Sequence, residues 1–106
     1  MTQINVVTEQ IIDWGLARKI IQHSTPQAQF LKLVEETGEL ASSIAKKKPI
    51  EETADAIGDI YVVLVMIATM YGLKMEDCIA QAYGGPKGIK DRTGHVTSEG
   101  IFVKDE

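Results

Sequence analysis

Two short acidic groups in this chain are spaced so that they could do chemistry together. LVEETGEL, residues 33–40, sets Glu35, Glu36 and Glu39 in an otherwise apolar run, and EETADAIGD, Glu51 to Asp59, follows shortly after it. Carboxylates that converge without matching Lys or Arg cannot all stay ionised in a low dielectric unless a cation neutralises them. The candidate ligands are Glu36 and Glu39 from the first group and Glu52, Asp55 and Asp59 from the second. Oxygen-only donors select a hard ion, Mg²⁺ first and Mn²⁺ or Ca²⁺ next. Softer metals lack support: Cys78 has no CxxC neighbour, and the residues three before His23 and His95 are Ile20 and Arg92, so the Glu-x-x-His pairs of a di-iron bundle are missing.

Whether the groups meet depends on the elements that carry them. The STPQAQ segment supplies a helix start, Ser24 or Thr25 as cap and Pro26 at the first helical position, and the helix should run to about Lys47. Phe30, Leu33, Val34, Leu40, Ala41 and Ile44 form its apolar stripe, expected to be buried, and Pro49 marks the break. At 3.6 residues per turn, Glu36, Glu39, Lys32 and Ser43 fall within about 60° of one another, bordering that stripe, while Glu35 lies farther round. A further helix runs from Ile50 to Tyr71, closed by Gly72. Asp59, Asp55 and Glu52 share one of its faces, which continues as Val62, Val63 and Met66. A face that turns apolar for two turns is covered by a partner helix, which draws its carboxylates inward. The short KKKPI connection makes the two helices an antiparallel αα-hairpin, so the acidic groups can face each other. Any one of Glu35, Glu36, Glu39, Glu51 and Glu52 reads alone as an ordinary surface charge; the set does not.

Around this hairpin the reading places a first helix from Thr8, taken as N-cap, to about His23, and a short one from Met75 to Tyr83. Strand content is minor. The result is an all-α, antiparallel helical bundle in a single domain, residues 1–106, with a helical core of about 8–83 and an irregular tail, 84–106. GGPKGIKDRTGHVTSEG is rich in turn formers, and IFVKDE has enough apolar character to fold back or form a short strand. Ile60 to Tyr71 is apolar nearly all round, more than one protomer can cover, which predicts a homo-oligomer, dimer or tetramer, completing a four-helix core.

The 106 residues carry a formal net charge of −4 and a pI near 5.1. There is no general basic field for a nucleic-acid polymer. The lone Cys78 fits a reducing, cytoplasmic compartment. MTQINVVTEQ lacks the basic start and apolar core of a signal peptide, and Ile60 to Tyr71 is too short to span a bilayer, so neither export nor a membrane role is expected.

PQAQFLKLVEETGELASSI followed by DAIGDIYVVLVMIA resembles the MazG-like, all-α nucleoside triphosphate pyrophosphohydrolases, over roughly Trp14 to Arg92. The family pattern is EExxE, a gap, then ExxD at the head of an apolar helix. EETGE, Glu35 to Glu39, matches the first half. Aligning the second half by its apolar run selects Asp59 and puts Ala56 at the acidic position three before it, whereas the literal ExxD is Glu52 to Asp55. Both alignments stand, with Asp59 and Asp55 favoured over Glu52.

The resemblance implies Mg²⁺-dependent cleavage of the α–β phosphoanhydride of NTPs or dNTPs to monophosphate and pyrophosphate, in nucleotide-pool housekeeping. The carboxylates would hold Mg²⁺, with Mn²⁺ a possible substitute, and a water bound to the ion or positioned by Glu35 or Glu36 would attack in line. A triphosphate also needs positive charge: Lys32 lies one turn before Glu36, and Lys90 and Arg92 in the tail are the expected phosphate contacts, although GGPKG departs from the family's usual Asn-containing turn. For the base, Trp14 could stack and Gln29 offers an amide. Two other readings stay open: a non-enzymatic helical interaction module, and a degenerate member that binds nucleotide without cleaving it, suggested by Ala56.

Overall fold

The computed structural model describes residues 3–106, which group into two compact units, one reaching to Met75 and the other Glu76–Glu106. The first unit holds α1 (Ile4–Ala17), α2 (Ile20–His23), α3 (Pro26–Ala45) and α4 (Ile50–Met70). The second holds nearly all of α5 (Met75–Gly84), a 3₁₀ turn (Ile89–Asp91) and an antiparallel hairpin of β1 (Gly94–Val96) and β2 (Phe102–Lys104).

α3 starts where its sequence signals stand. The Thr25 side chain accepts from the Ala28 N–H at 3.1 Å, and Pro26 takes the first turn. It ends at Ala45, and Lys47 turns the chain in the left-handed region at φ 52°. α4 returns antiparallel: Ser43 Oγ lies 2.6 Å from Thr53 Oγ1 near the loop, and Pro26 and Tyr71 line one surface at the other end. Gly72, at φ 71°, supplies the left-handed residue that closes α4.

α1 departs from expectation at both ends. It begins at Ile4, and Thr8 is no cap: buried in mid-helix, its hydroxyl donates to the Ile4 carbonyl at 2.8 Å and meets the Tyr61 hydroxyl of α4 at 2.8 Å. A threonine can satisfy its hydroxyl one turn back, and here that also presents it to a partner helix. The expected continuous helix breaks at Lys19, which sits at φ 62°, before α2 resumes. Gly15 allows close approach to α4, since a Cβ there would lie 2.6 Å from Met66 Sδ.

α4 is the central element of the first unit, burying Ala56, Val63, Val65, Met66 and Ala68. With 21 residues it is long and apolar enough to cross a bilayer, which corrects the shorter span read from Ile60 to Tyr71. Its acids Glu51, Glu52, Asp55 and Asp59 and these buried side chains are those of a helix packed within a protein, which passes the same test of length and composition.

α3 corrects a second expectation. Its buried residues are Glu36 and Ser43, whereas Phe30 (57% exposed), Val34 (55%) and Ile44 (62%) of the apolar stripe stay open. α3 turns its acidic edge toward α4, and these apolar side chains stay exposed in the single chain.

The C-terminal unit is more ordered than a turn-rich composition suggests. His95 pairs with Val103 in the hairpin, and the connecting turn is closed by Thr97 N–H to the Ile101 carbonyl at 2.8 Å, with Gly100 at φ 84°. At its open end Thr93 Oγ1 donates to Asp105 Oδ2 at 2.8 Å.

Candidate functional site

The αα-hairpin brings the two acidic groups together. A cleft of about 610 Å³ between α3 and α4 is lined by Glu39, Ser42 and Ser43 from one helix and by Glu52, Asp55 and Asp59 from the other, with Glu51 and Lys48 at its rim and Ala56 in its wall. Ala56 is buried at 5% exposure, so the position that aligns with an acid contributes only a methyl, and the carboxylates come from Glu52 and Asp55 before it and Asp59 after it.

Glu36 is the pivot. It is 5% exposed, a rare degree of burial for a glutamate. Its Oε1 receives the Lys32 ammonium at 3.1 Å, while Oε2 is buried without a hydrogen-bond partner. Glu35, Glu36 and Glu39 each bring one oxygen within 4.8 Å of the others. Lys32 also reaches Glu35 at 3.5 Å, and these two contacts are the only ion pairs among the described residues.

The crowding is felt in the titration of the cluster. Asp59 is raised above its ordinary carboxylate value, first by partial burial and then by the charges of Asp55 and Glu36. Glu39 is raised chiefly by the neighbouring Glu36 charge and less by burial. Lys32 is raised by its hydrogen bond to Glu36 and by the charge of Glu35. Two acids held toward their neutral forms beside a buried, half-satisfied glutamate are an arrangement that a multivalent cation's field would relieve. An all-oxygen donor set with one unpartnered buried oxygen fits a hard divalent ion.

On the other side of Asp59 lies a groove of about 400 Å³ lined by Val7, Gln10, Ile11 and Trp14 of α1 and by Asp59 and Val62 of α4. Trp14 is 46% exposed and forms part of this wall instead of joining the core. Asp59 is common to the acidic cleft and the apolar groove, so a ligand bridging them would have its charged part among carboxylates and a flat apolar part against Trp14.

The remaining site expectations fall elsewhere. Gln29 is half-buried in the second turn of α3, and its amide donates to Ser24 Oγ at 3.1 Å. Lys90 and Arg92 belong to the second unit, where Arg92 lines a cleft with Lys87, Lys104 and the acids Asp91, Asp105 and Glu106. Sequence reasoning passed over Gln10 and Lys48. Gln10 stands four residues before Trp14 and so on the same helix face, a spacing that could have found it once Trp14 was singled out.

The MazG nucleotide pyrophosphohydrolase domain matches residues 24–85, more than half of the chain, which takes in α3, α4 and α5. The chain is 44% identical over 68 residues to an uncharacterized 18.2 kDa protein from the rep-hol intergenic region of Haemophilus phage HP1. That similarity covers 64% of this chain and 41% of the phage protein, so the chain spans well under half of that relative. No solved structure matches the chain.

Proposed function

The chain belongs to the MazG nucleotide pyrophosphohydrolase family, and from that premise we propose that it hydrolyses the α–β phosphoanhydride of NTPs or dNTPs, releasing monophosphate and pyrophosphate, with Mg²⁺ as cofactor and Mn²⁺ as a substitute. The observation that carries the proposal is Glu36, buried with one oxygen unpartnered at the point where the carboxylates of α3 meet those of α4.

Glu36, Glu39, Asp55 and Asp59 would hold the ion, with Glu52 at the edge of the cleft. Bound there, Mg²⁺ would offset the charge of the triphosphate and polarise the phosphorus under attack. Glu35, exposed and within oxygen reach of Glu36 and Glu39, is placed to orient a water and accept its proton, and Glu36 is the other candidate for that task. Lys32 would give positive charge to the phosphates one turn before Glu36, with Gln29 nearer the start of α3. Trp14 would stack on the base in the groove that shares Asp59.

We place the protein in the cytoplasm and assign it a homo-oligomeric state. Few apolar side chains are buried within one chain, while Phe30, Leu31, Val34 and Ile57 are each more than half exposed. A second copy laid on α3 and α4 would cover them.

The acidic face formed by Glu35, Glu36 and Glu39 beside Glu52, Asp55 and Asp59 also supports a second reading, a non-enzymatic helical module that captures a basic partner. Glu36→Ala with Glu39→Ala separates the two. Loss of Mg²⁺-dependent turnover in a protein that still folds supports the enzyme. Absence of turnover in the unaltered, folded protein, together with partner binding that these changes abolish, supports the module.

A further inference from the structure

Glu36 holds one cation already. Lys32 Nζ lies 3.1 Å from Glu36 Oε1 and 3.5 Å from Glu35 Oε1, and among the described residues no other ammonium or guanidinium pairs with a carboxylate of the cluster. The Lys32 side chain is half exposed, at 49%, while that of Glu36 is at 7%. One partner of this ion pair is therefore fixed in the wall of the site, and the other is the tip of a flexible four-carbon arm that reaches it from solvent.

On the reading that the cleft binds a metal–triphosphate, we propose that Lys32 is an exchangeable counter-ion: it occupies Glu36 while the site is unloaded and transfers to a phosphate oxygen when the nucleotide's divalent ion takes Glu36. The chemistry follows from the donor inventory. Lys32 holds Oε1 and leaves Oε2 open, so a divalent ion that takes Oε2 shares the carboxylate with a like charge, and one that takes both oxygens releases the ammonium. An ammonium has three donors and no acceptor, so once displaced it needs another anion, and the incoming triphosphate is one. Free Mg²⁺ brings no such anion, so it either binds beside the Lys32 charge or sends Lys32 into water.

The consequence is coupling: the ion binds weakly alone and tightly with its polyphosphate, which keeps the site from being held by free metal. A purely structural Lys32, a strut that positions Glu36, predicts the opposite for the metal alone, because its removal would loosen a ligand.

The experiment measures Mn²⁺ binding to the full chain by electron paramagnetic resonance, without and with inorganic tripolyphosphate, which supplies the anion without depending on base identity. Lys32→Met should tighten Mn²⁺ alone by about three- to fivefold, the scale of a partly exposed ion pair. It should weaken the Mn²⁺–tripolyphosphate complex by about tenfold or more, the scale of a charge-assisted hydrogen bond. Lys32→Arg should retain the coupling between the two ligands. Circular dichroism of each variant confirms that the fold is kept. Unchanged or weaker binding of Mn²⁺ alone in Lys32→Met overturns the exchange. Wild-type protein that binds no Mn²⁺ under either condition overturns the metal-site reading and this inference together.

Discussion

Glu36→Gln should make the metal-free protein more stable while abolishing turnover. The side chain keeps its shape, its carbonyl oxygen can still accept from Lys32, and its amide can donate toward Glu39 and Asp59, where the carboxylate now adds only repulsion. Leaving a buried polar atom unsatisfied costs about 1–3 kcal/mol, and Glu36 Oε2 is such an atom. The ion pair with a half-exposed Lys32 returns at most about 1 kcal/mol. The balance predicts a net gain of about 1–2 kcal/mol for the glutamine in EDTA, and at about 4–8 °C per kcal/mol for a domain near this size, Tm should rise by roughly 4–16 °C. The comparison is made by thermal unfolding at one protein concentration, since oligomerisation makes Tm concentration-dependent. Added Mg²⁺ should raise the Tm of the wild type and leave that of the variant unmoved. A variant less stable than wild type in EDTA would refute the reasoning, because Glu36 would then hold the fold together and its burial would say nothing about a ligand.

Other outcomes follow from the same geometry. Asp59 and Glu39 are raised above their ordinary carboxylate values, so each holds its proton more tightly in the folded state than in the unfolded chain; the metal-free protein should lose stability as pH climbs from the ordinary carboxylate range through the raised values, and Mg²⁺ should remove that loss in Tm-versus-pH scans. Trp14→Ala should raise KM for nucleotides by about tenfold, the scale of one base stacked on an aromatic ring, with Mn²⁺ affinity unchanged by resonance titration. Gly15→Ala should destabilise by about 1–2 kcal/mol, because the new Cβ meets Met66, which is 2% exposed and has little room to move; in urea unfolding, the double variant with Met66→Ala should be less destabilised than the sum of the single changes. Phe30→Glu with Leu31→Glu should convert the oligomer to monomer in light scattering, since both side chains lie more than half exposed on one apolar surface.

The hairpin and its carboxylates were legible because local signals agreed: a Thr-Pro start, a Lys-Lys-Lys-Pro break, and acids whose spacing matches one helix face. Thr8 was misplaced as a cap because threonine before an apolar run has that meaning on average, and only the Tyr61 hydroxyl across the helix interface makes its mid-helix position favourable. The break at Lys19 carries no glycine or proline to announce it. The outward turn of α3 could not be read from periodicity, which identifies an apolar stripe without saying whether the same chain or another covers it. The groove at Trp14 needed the pairing of α1 with α4, which places Gln10 and Val7 beside Asp59 across a long stretch of sequence.

The most direct test of the central claim is pyrophosphate release from a panel of canonical and modified NTPs and dNTPs, with Mg²⁺, with Mn²⁺ and with EDTA, the nucleotide product being identified in each case. Metal-dependent release with a nucleoside monophosphate as co-product is the predicted result. Folded, oligomeric protein that releases no pyrophosphate from any of them, or that yields diphosphate and orthophosphate instead, would contradict it.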